Sequence, residues 1–171
     1  MVLVASIGCA GGERPFTGEV DGTDAVLGLV ADGDRGVLYV CGGPQTMGLL
    51  NGWVSVALDG EALSGTGDGY TVSGSLAEGV LATDAGDEWT FTLSEAEGPD
   101  GAWSATEPVG SCPVGVVILE RGKRVQGVAC PAVATIPAQV VPVGVVADDT
   151  VQLDVQTDDG ALDFVVVPAT L

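Results

Sequence analysis

Asp-Gly dipeptides divide this 171-residue chain into short segments, and they restrict its fold more than any other feature of the sequence. An Asp-Gly pair between two apolar runs is typical of a tight β-hairpin, because both residues tolerate a positive φ. Three further turns are expected at Glu78-Gly79, Ala85-Gly86 and Glu97-Gly98. The Asp-Gly pairs lie at positions 21–22, 32–33, 59–60, 68–69, 100–101 and 159–160.

The segments between these turns have the length and pattern of β-strands. The stretches WVSVAL and WTFTLS alternate apolar and polar residues, as strands with one face in water do. No segment carries apolar residues at helical spacing for three turns, so we expect little helix. We predict an all-β protein whose antiparallel meander forms a small barrel or sandwich. The expected strands are Phe16–Val20, Ala25–Val30, Gly36–Cys41, Gly52–Leu58, Ala62–Thr66, Tyr70–Leu76, Glu88–Leu93 and Ala102–Thr106.

The last third of the chain differs from the rest in composition. Seven of the eight aromatic residues precede residue 104, whereas five of the nine prolines lie between Pro108 and Pro142. We therefore expect the main barrel or sandwich in residues 13–107. Residues 108–171 would contribute a disulfide-stapled hairpin and C-terminal strands near Val143–Ala147, Val151–Gln156 and Leu162–Val167, either as a separate domain or as part of the same one.

The charge of the chain restricts its partners. Five Lys and Arg residues against 24 Asp and Glu residues give a formal net charge of −19. Nucleic-acid binding needs cationic surface, so no nucleic-acid partner is expected. The same charge disfavours electrostatic docking on an anionic membrane, so membrane attachment is expected only through a lipid anchor. The apolar fraction of 46% supplies ample core material, which argues against disorder.

Residues 1–12 resemble a truncated lipoprotein signal followed by a spacer. In the stretch SIGC, a small residue precedes Cys9, as it does where a lipoprotein cysteine is lipidated. Only eight residues precede Cys9 and no basic residue comes before Arg14, so a full signal would have to begin upstream of Met1. The alternative is a short N-terminal strand. We expect lipidation of Cys9 and a protein outside the cytoplasm, membrane-anchored or secreted.

Two other cysteines flank a predicted hairpin. If Glu120, Arg121 and Gly122 form a three-residue loop, Leu119 pairs with Lys123 and paired numbers add up to 242. Cys112 and Cys130 would then lie directly opposite each other, at a separation close to that of a disulfide. Such a bond would support an oxidising compartment. We expect Cys41 to be a buried small hydrophobe, with a Cys9–Cys41 bridge as the alternative.

The order of turns and strands in FTGEVDGTDAVLGLVADGDRGVLYVCGG, followed by a tryptophan strand, resembles small exported β-domains of bacterial lipoproteins. The resemblance covers the first two thirds of the chain and includes no catalytic signature. It implies an architecture and a location, but no activity.

The sequence lacks most of the residue patterns that enzymes use for catalysis. With no histidine, neither a Ser-His-Asp arrangement nor an imidazole metal ligand is available. We expect no enzyme and no cofactor, although a carboxylate pair of the kind glycosidases use stays open as a weak alternative. Metal binding is not expected either. Weak calcium candidates are the turn carboxylates Asp32, Asp34, Asp84 and Asp87, for which capping of the turns is the simpler role.

Two sets of residues could take part in binding. Trp53, Trp89 and Trp103 could stack on a sugar or line a cavity, although strand-end aromatics more often close a core. Arg121, Lys123 and Arg124 hold three of the five basic charges and could dock an acidic partner or another copy of the chain, or simply satisfy nearby acids. We predict a non-catalytic interaction module of the envelope or surface that binds protein or itself; a glycan- or small-ligand-binding barrel is the alternative.

Overall fold

The structure is a computed structural model that describes residues 12–105, 114–129, 138–139, 141–142, 150–157 and 160–171. Regular structure in these residues is entirely β-strand, as predicted. The described part of the chain holds no helical segment with the length and hydropathy that crossing a bilayer requires.

Eight strands form a closed antiparallel barrel in which each strand pairs with the next along the chain. Pairing of Phe16 in the first strand with Glu95 in the last closes the barrel. The predicted meander is therefore confirmed, as a barrel. The strands are β1 (Arg14–Val20), β2 (Val26–Asp32), β3 (Arg35–Cys41), β4 (Asn51–Asp59), β5 (Ala62–Gly67), β6 (Tyr70–Ser75), β7 (Glu78–Thr83) and β8 (Glu88–Glu95).

Four of the seven connections between barrel strands lie at predicted Asp-Gly pairs, and the predicted Ala85-Gly86 turn joins β7 to β8. At Asp68-Gly69 both residues have positive φ values, 45° and 82°, as a two-residue hairpin loop requires. The turn expected at Glu78-Gly79 is wrong, because both residues belong to β7. Gly79 is instead a packing position, where a Cβ would lie 2.5 Å from the Phe91 ring. The chain reverses just before it, at positions 76–77.

Side chains fill the inside of the barrel. Along the strands, residues that point inward alternate with residues that point outward, and large apolar residues among the inward ones are buried. One end of the barrel is closed by residues 42–50. In that loop Leu50 is fully buried, and the Tyr70 hydroxyl donates to the Leu49 carbonyl at 2.8 Å. The buried cluster consists of Phe16, Val20, Ala25, Leu27, Leu29, Ala31, Leu38, Val40, Leu50, Val54, Val56, Leu58, Leu63, Tyr70, Val72, Leu81, Phe91 and Leu93.

The remaining strands form a second sheet in the order β12-β11-β10-β9-β15-β14-β13. The strands at its two edges, β12 and β13, are separated along the chain by residue 140 alone. The sheet therefore curls until its two edges lie close together. Residues 143–147, expected as a strand, lie outside the described residues. The strands are β9 (Gly101–Ala105), β10 (Gly115–Leu119), β11 (Arg124–Ala129), β12 (Ala138–Gln139), β13 (Val141–Pro142), β14 (Val151–Thr157) and β15 (Gly160–Pro168).

The β10–β11 hairpin has a different register from the predicted one. Leu119 pairs with Arg124, so paired numbers add up to 243, and the predicted pairing of Leu119 with Lys123 is wrong. The loop takes one more residue because Glu120 and Arg121 adopt positive φ values together with Gly122. Cys112 and Cys130, like Cys9, lie outside the described residues.

The second sheet packs on the outer face of β2 and β3. Val26, Val30, Tyr39 and Cys41 point away from the barrel interior and are buried with Ala102, Val117, Leu119, Val128 and Ala169. Both faces of these two barrel strands are thus covered, which explains their nearly unbroken apolar runs, VLGLVA and VLYVC.

Candidate functional site

A cleft of about 470 Å³ opens where the barrel meets the second sheet, and we call it the junction cleft. Its residues come from the start of β1, from β2, from the turn before β9, from β9 and from the end of β15. The lining consists of Glu13, Pro15, Val30, Gly98, Pro99, Asp100, Gly101, Ala102, Trp103, Pro168 and Ala169.

Local hydrogen bonds hold the walls of the junction cleft in place. The Trp103 indole N–H donates to the Pro99 carbonyl at 3.0 Å, which ties the side chain to the turn before β9. The Ala169 N–H donates to the Ala102 carbonyl at 2.9 Å, which fixes the end of β15 beside β9. The cleft is therefore built from ordered backbone on both sides.

Both ionisable residues that line the cleft are acids. The Asp100 carboxylate accepts hydrogen bonds from the backbone N–H groups of Arg121 at 2.8 Å and Gly122 at 2.9 Å. These contacts attach the tip of the β10–β11 hairpin to the cleft. Glu13 is exposed at the start of β1. No Lys or Arg lines the cleft among the residues described there.

The three tryptophans do not form one site. Trp53 lies on the outside of the barrel, where its ring contacts Tyr39 with centroids 4.5 Å apart. Trp89 is half-buried and packs against the cluster inside the barrel, on a strand opposite β4 in the barrel order. Trp103 is buried on β9 and lines the junction cleft. A stacking platform that uses all three together is not what the fold provides.

The basic cluster at the hairpin tip contacts acids of the same chain. Arg121 lies 2.7 Å from the Glu97 carboxylate, and Arg124 lies 3.4 Å from that of Glu19. Both pairs are exposed and so stabilise the fold only weakly. Lys123 is exposed between them. The two arginines thus have intramolecular partners, which a docking partner would have to displace.

The calcium candidates lie at two different ends of the barrel. Asp32 and Asp34 flank the β2–β3 turn, whereas Asp84 and Asp87 belong to the β7–β8 turn at the other end. In the described ranges no three His, Cys, Asp or Glu side chains come close enough to hold a metal ion.

Asp24 organises the loop that closes the barrel. Its carboxylate accepts from the Gln45 N–H at 2.7 Å and from the Thr46 hydroxyl. Although desolvation opposes ionisation, these hydrogen bonds outweigh it and lower the pKa of Asp24 below its usual value. The role is structural: the carboxylate holds residues 43–46 over the end of the barrel.

A buried polar contact joins the two sheets at this same end. The Gln126 side-chain amide donates to the carbonyls of Asp24 and Cys41, each at 2.9 Å. Its oxygen accepts from Arg124 at 3.1 Å. Cys41 is a free, buried thiol, and burial raises its pKa to about 12. It is therefore protonated at neutral pH and behaves as the small hydrophobe that the sequence predicted.

The sequence did not indicate the junction cleft. Its residues come from positions 13, 15, 30, 98–103 and 168–169, and no local motif links these segments. Comparison with known protein families, with curated proteins and with solved structures finds no match.

Proposed function

We propose that this chain is a non-catalytic module that works outside the cytoplasm and binds a partner at a cell envelope or surface. The observation that carries the proposal is the packing of the barrel interior by large apolar side chains, of which Phe91 and Leu81 are almost fully buried. A closed barrel of eight strands is just wide enough for side chains to fill it. A partner therefore binds on the outer surface, where the junction cleft lies.

The chemistry of the described residues supports a binding role. The chain has no histidine, and the pKa of Cys41 makes its thiol a poor nucleophile. In the junction cleft, two backbone N–H groups use the Asp100 carboxylate as a structural acceptor. A carboxylate-based hydrolase would need its acid free to exchange protons with a substrate.

Location outside the cytoplasm depends on cysteines that lie outside the described residues. We propose that Cys9 carries a lipid and that Cys112 bonds to Cys130. Because the observed β10–β11 register differs from the predicted one, pairing along this hairpin no longer places Cys112 and Cys130 directly opposite each other. The disulfide proposal now depends only on their flanking the same hairpin in sequence.

Thiol counting tests the location. The protein is isolated from its native cells, unfolded without reductant and titrated for free thiols, while mass spectrometry identifies the modified residues. We expect one free thiol, Cys41, with a lipid on Cys9 and a bond between Cys112 and Cys130. Four free thiols and an unmodified Cys9 would contradict export. Cytosolic expression serves as the reduced control.

A ligand panel tests the kind of partner. Tryptophan emission of the full chain is recorded against soluble glycans and neutral lipid vesicles. Because the three tryptophans lie apart, variants Trp53→Phe, Trp89→Phe and Trp103→Phe assign any response to a place. No saturable response from any tryptophan is expected for glycans or lipids. A saturable shift on a glycan, lost in one of these variants, would support the glycan-binding alternative and contradict the protein-binding module.

A further inference from the structure

Rings form much of the wall of the junction cleft. Pro15, Pro99 and Pro168 come from three separate segments, and the largely buried Trp103 lines the same wall. Proline and aromatic rings present rigid, flat apolar surface, and grooves of this kind bind extended peptide chains whose own conformation is already restricted. A volume of about 470 Å³ lies within the usual range of ligand sites and can hold a few residues of such a chain.

The charge of the cleft selects among such chains. Its two ionisable lining residues, Glu13 and Asp100, are both acids. A carboxylate has about four lone-pair directions, so Asp100 keeps acceptor capacity beyond the two backbone N–H groups that it binds. For Glu13 the structure describes no hydrogen bond or ion pair.

The adjacent basic side chains do not neutralise these acids. Arg14, next to Glu13 in sequence, lies 3.4 Å from the Glu95 carboxylate. Arg121, whose backbone binds Asp100, directs its guanidinium to Glu97 at 2.7 Å. The cleft therefore presents two negative charges on a chain of net charge −19, which favours approach of a cation.

We propose that the junction cleft binds an extended peptide segment carrying Arg or Lys, with its apolar residues against the proline rings and its cation beside Glu13 and Asp100. This inference rests on the proposed function, because it names the partner class of an interaction module. An acidic peptide would meet repulsion at the same two carboxylates.

Calorimetry with two synthetic peptides tests the proposal. The probes are acetyl-Pro-Arg-Pro-Pro-Arg-Pro-amide and the same peptide with Glu in place of Arg, titrated into the full chain at an ionic strength of about 0.15 M, where the screening length is about 8 Å. We expect saturable binding of the Arg peptide and none of the Glu peptide. Binding should also change the emission of Trp103, and the Trp103→Phe variant should lose that signal.

Two charge-reversal variants distinguish binding in the cleft from attraction by the overall negative charge of the protein. Glu13→Lys should weaken binding of the Arg peptide about tenfold or more, since it replaces attraction by repulsion at the site. Glu61→Lys changes the net charge equally, but this exposed acid in the β4–β5 turn does not line the cleft, and it should alter affinity less than about twofold. Circular dichroism checks that each variant folds, and Glu13→Gln replaces Glu13→Lys if the latter does not.

Three results would overturn the assignment: no saturable binding of the Arg peptide at millimolar concentration, equal binding of the Glu peptide, or equal weakening by the two reversals. None of them would affect the thiol count or the glycan and lipid panel on which the proposed function depends. Failure of export would in turn leave the peptide result unchanged, so the two proposals fail separately.

Discussion

Substitution of Gly115 by Ala tests how closely the second sheet approaches the barrel. A Cβ at Gly115 would lie 2.6–2.7 Å from three carbons of the Tyr39 ring, well inside the 3.5–4.0 Å of ordinary carbon contact. The Tyr39 ring is fully buried and cannot retreat freely. Trp53 lies behind this ring at 4.5 Å between centroids, and the Tyr39 hydroxyl donates to the Asn51 side-chain oxygen at 2.6 Å.

The sign of the effect separates packing from backbone propensity. If backbone propensity alone decided the effect, replacing Gly by Ala in the interior of a strand would stabilise the folded protein by about 0.5–1 kcal/mol. Overpacking of a filled core instead costs about 1–3 kcal/mol, so we expect Gly115→Ala to be destabilising overall. For a chain of this length each kcal/mol corresponds to about 2–4 °C in Tm.

Thermal and urea unfolding of four variants measures this cost: Gly115→Ala, Gly48→Ala, Tyr39→Leu and the double variant Tyr39→Leu/Gly115→Ala. Gly48→Ala is the matched control, because nothing lies within 4 Å of a Cβ there. In a Tyr39→Leu background the ring is absent, and Gly115→Ala should then cost at least about 1 kcal/mol less than in the parent chain. If Gly115→Ala is as well tolerated as Gly48→Ala, or costs the same without the Tyr39 ring, the close packing of the two sheets is refuted.

Three further outcomes are expected from the polar side chains Gln126, Asp24 and Cys41 near the closed end of the barrel. Gln126→Ala leaves two carbonyls without their side-chain donor and should cost about 1–3 kcal/mol, whereas Gln45→Ala, with an exposed side chain, should stay within about 0.5 kcal/mol by urea unfolding. Asp24→Asn should lower Tm at pH 7, and this loss should shrink below about pH 4. The reason is that a carboxylate whose pKa is lowered by folding stabilises the protein above its unfolded-state pKa, and this stabilisation is lost as pH falls through its folded-state pKa. A loss of Tm that does not depend on pH would contradict this. Cys41, with a pKa of about 12, should resist iodoacetamide at pH 8.5 until the chain unfolds, and labelling at the rate of an exposed thiol, located by peptide mapping, would contradict its burial.

Local signals predicted the barrel well because its contacts are local in sequence. Each strand pairs with its neighbour, so turn residues and alternation are sufficient to order the meander. The sequence did not predict β7, because Glu78-Gly79 was interpreted as a turn. Gly79 is instead required because any side chain there would collide with the Phe91 ring. Local sequence does not separate these two uses of glycine.

The hairpin register and the junction cleft depended on information that local sequence lacks. Whether the β10–β11 loop has three or four residues follows from positive φ values at Glu120 and Arg121, residue types that rarely adopt them. The Asp100 carboxylate, which binds the backbone of this loop from the turn before β9, is the structural partner of that conformation. Because Asp100 lies more than twenty positions before this loop, the sequence of the hairpin alone does not indicate the contact.

The position of the cleft follows from the shapes of the two sheets. A closed barrel whose interior is filled with side chains offers a partner only its outer wall. A deeper recess forms where a second curved surface meets that wall, and here β9 and the end of β15 meet the start of β1. At Gly28 the barrel backbone lies so close to the second sheet that a Cβ there would be 2.8–2.9 Å from atoms of Ala102, which also lines the cleft. The junction cleft lies beside this close contact, and the rings of Pro15 from the barrel and Pro168 from the second sheet remain accessible to a partner there.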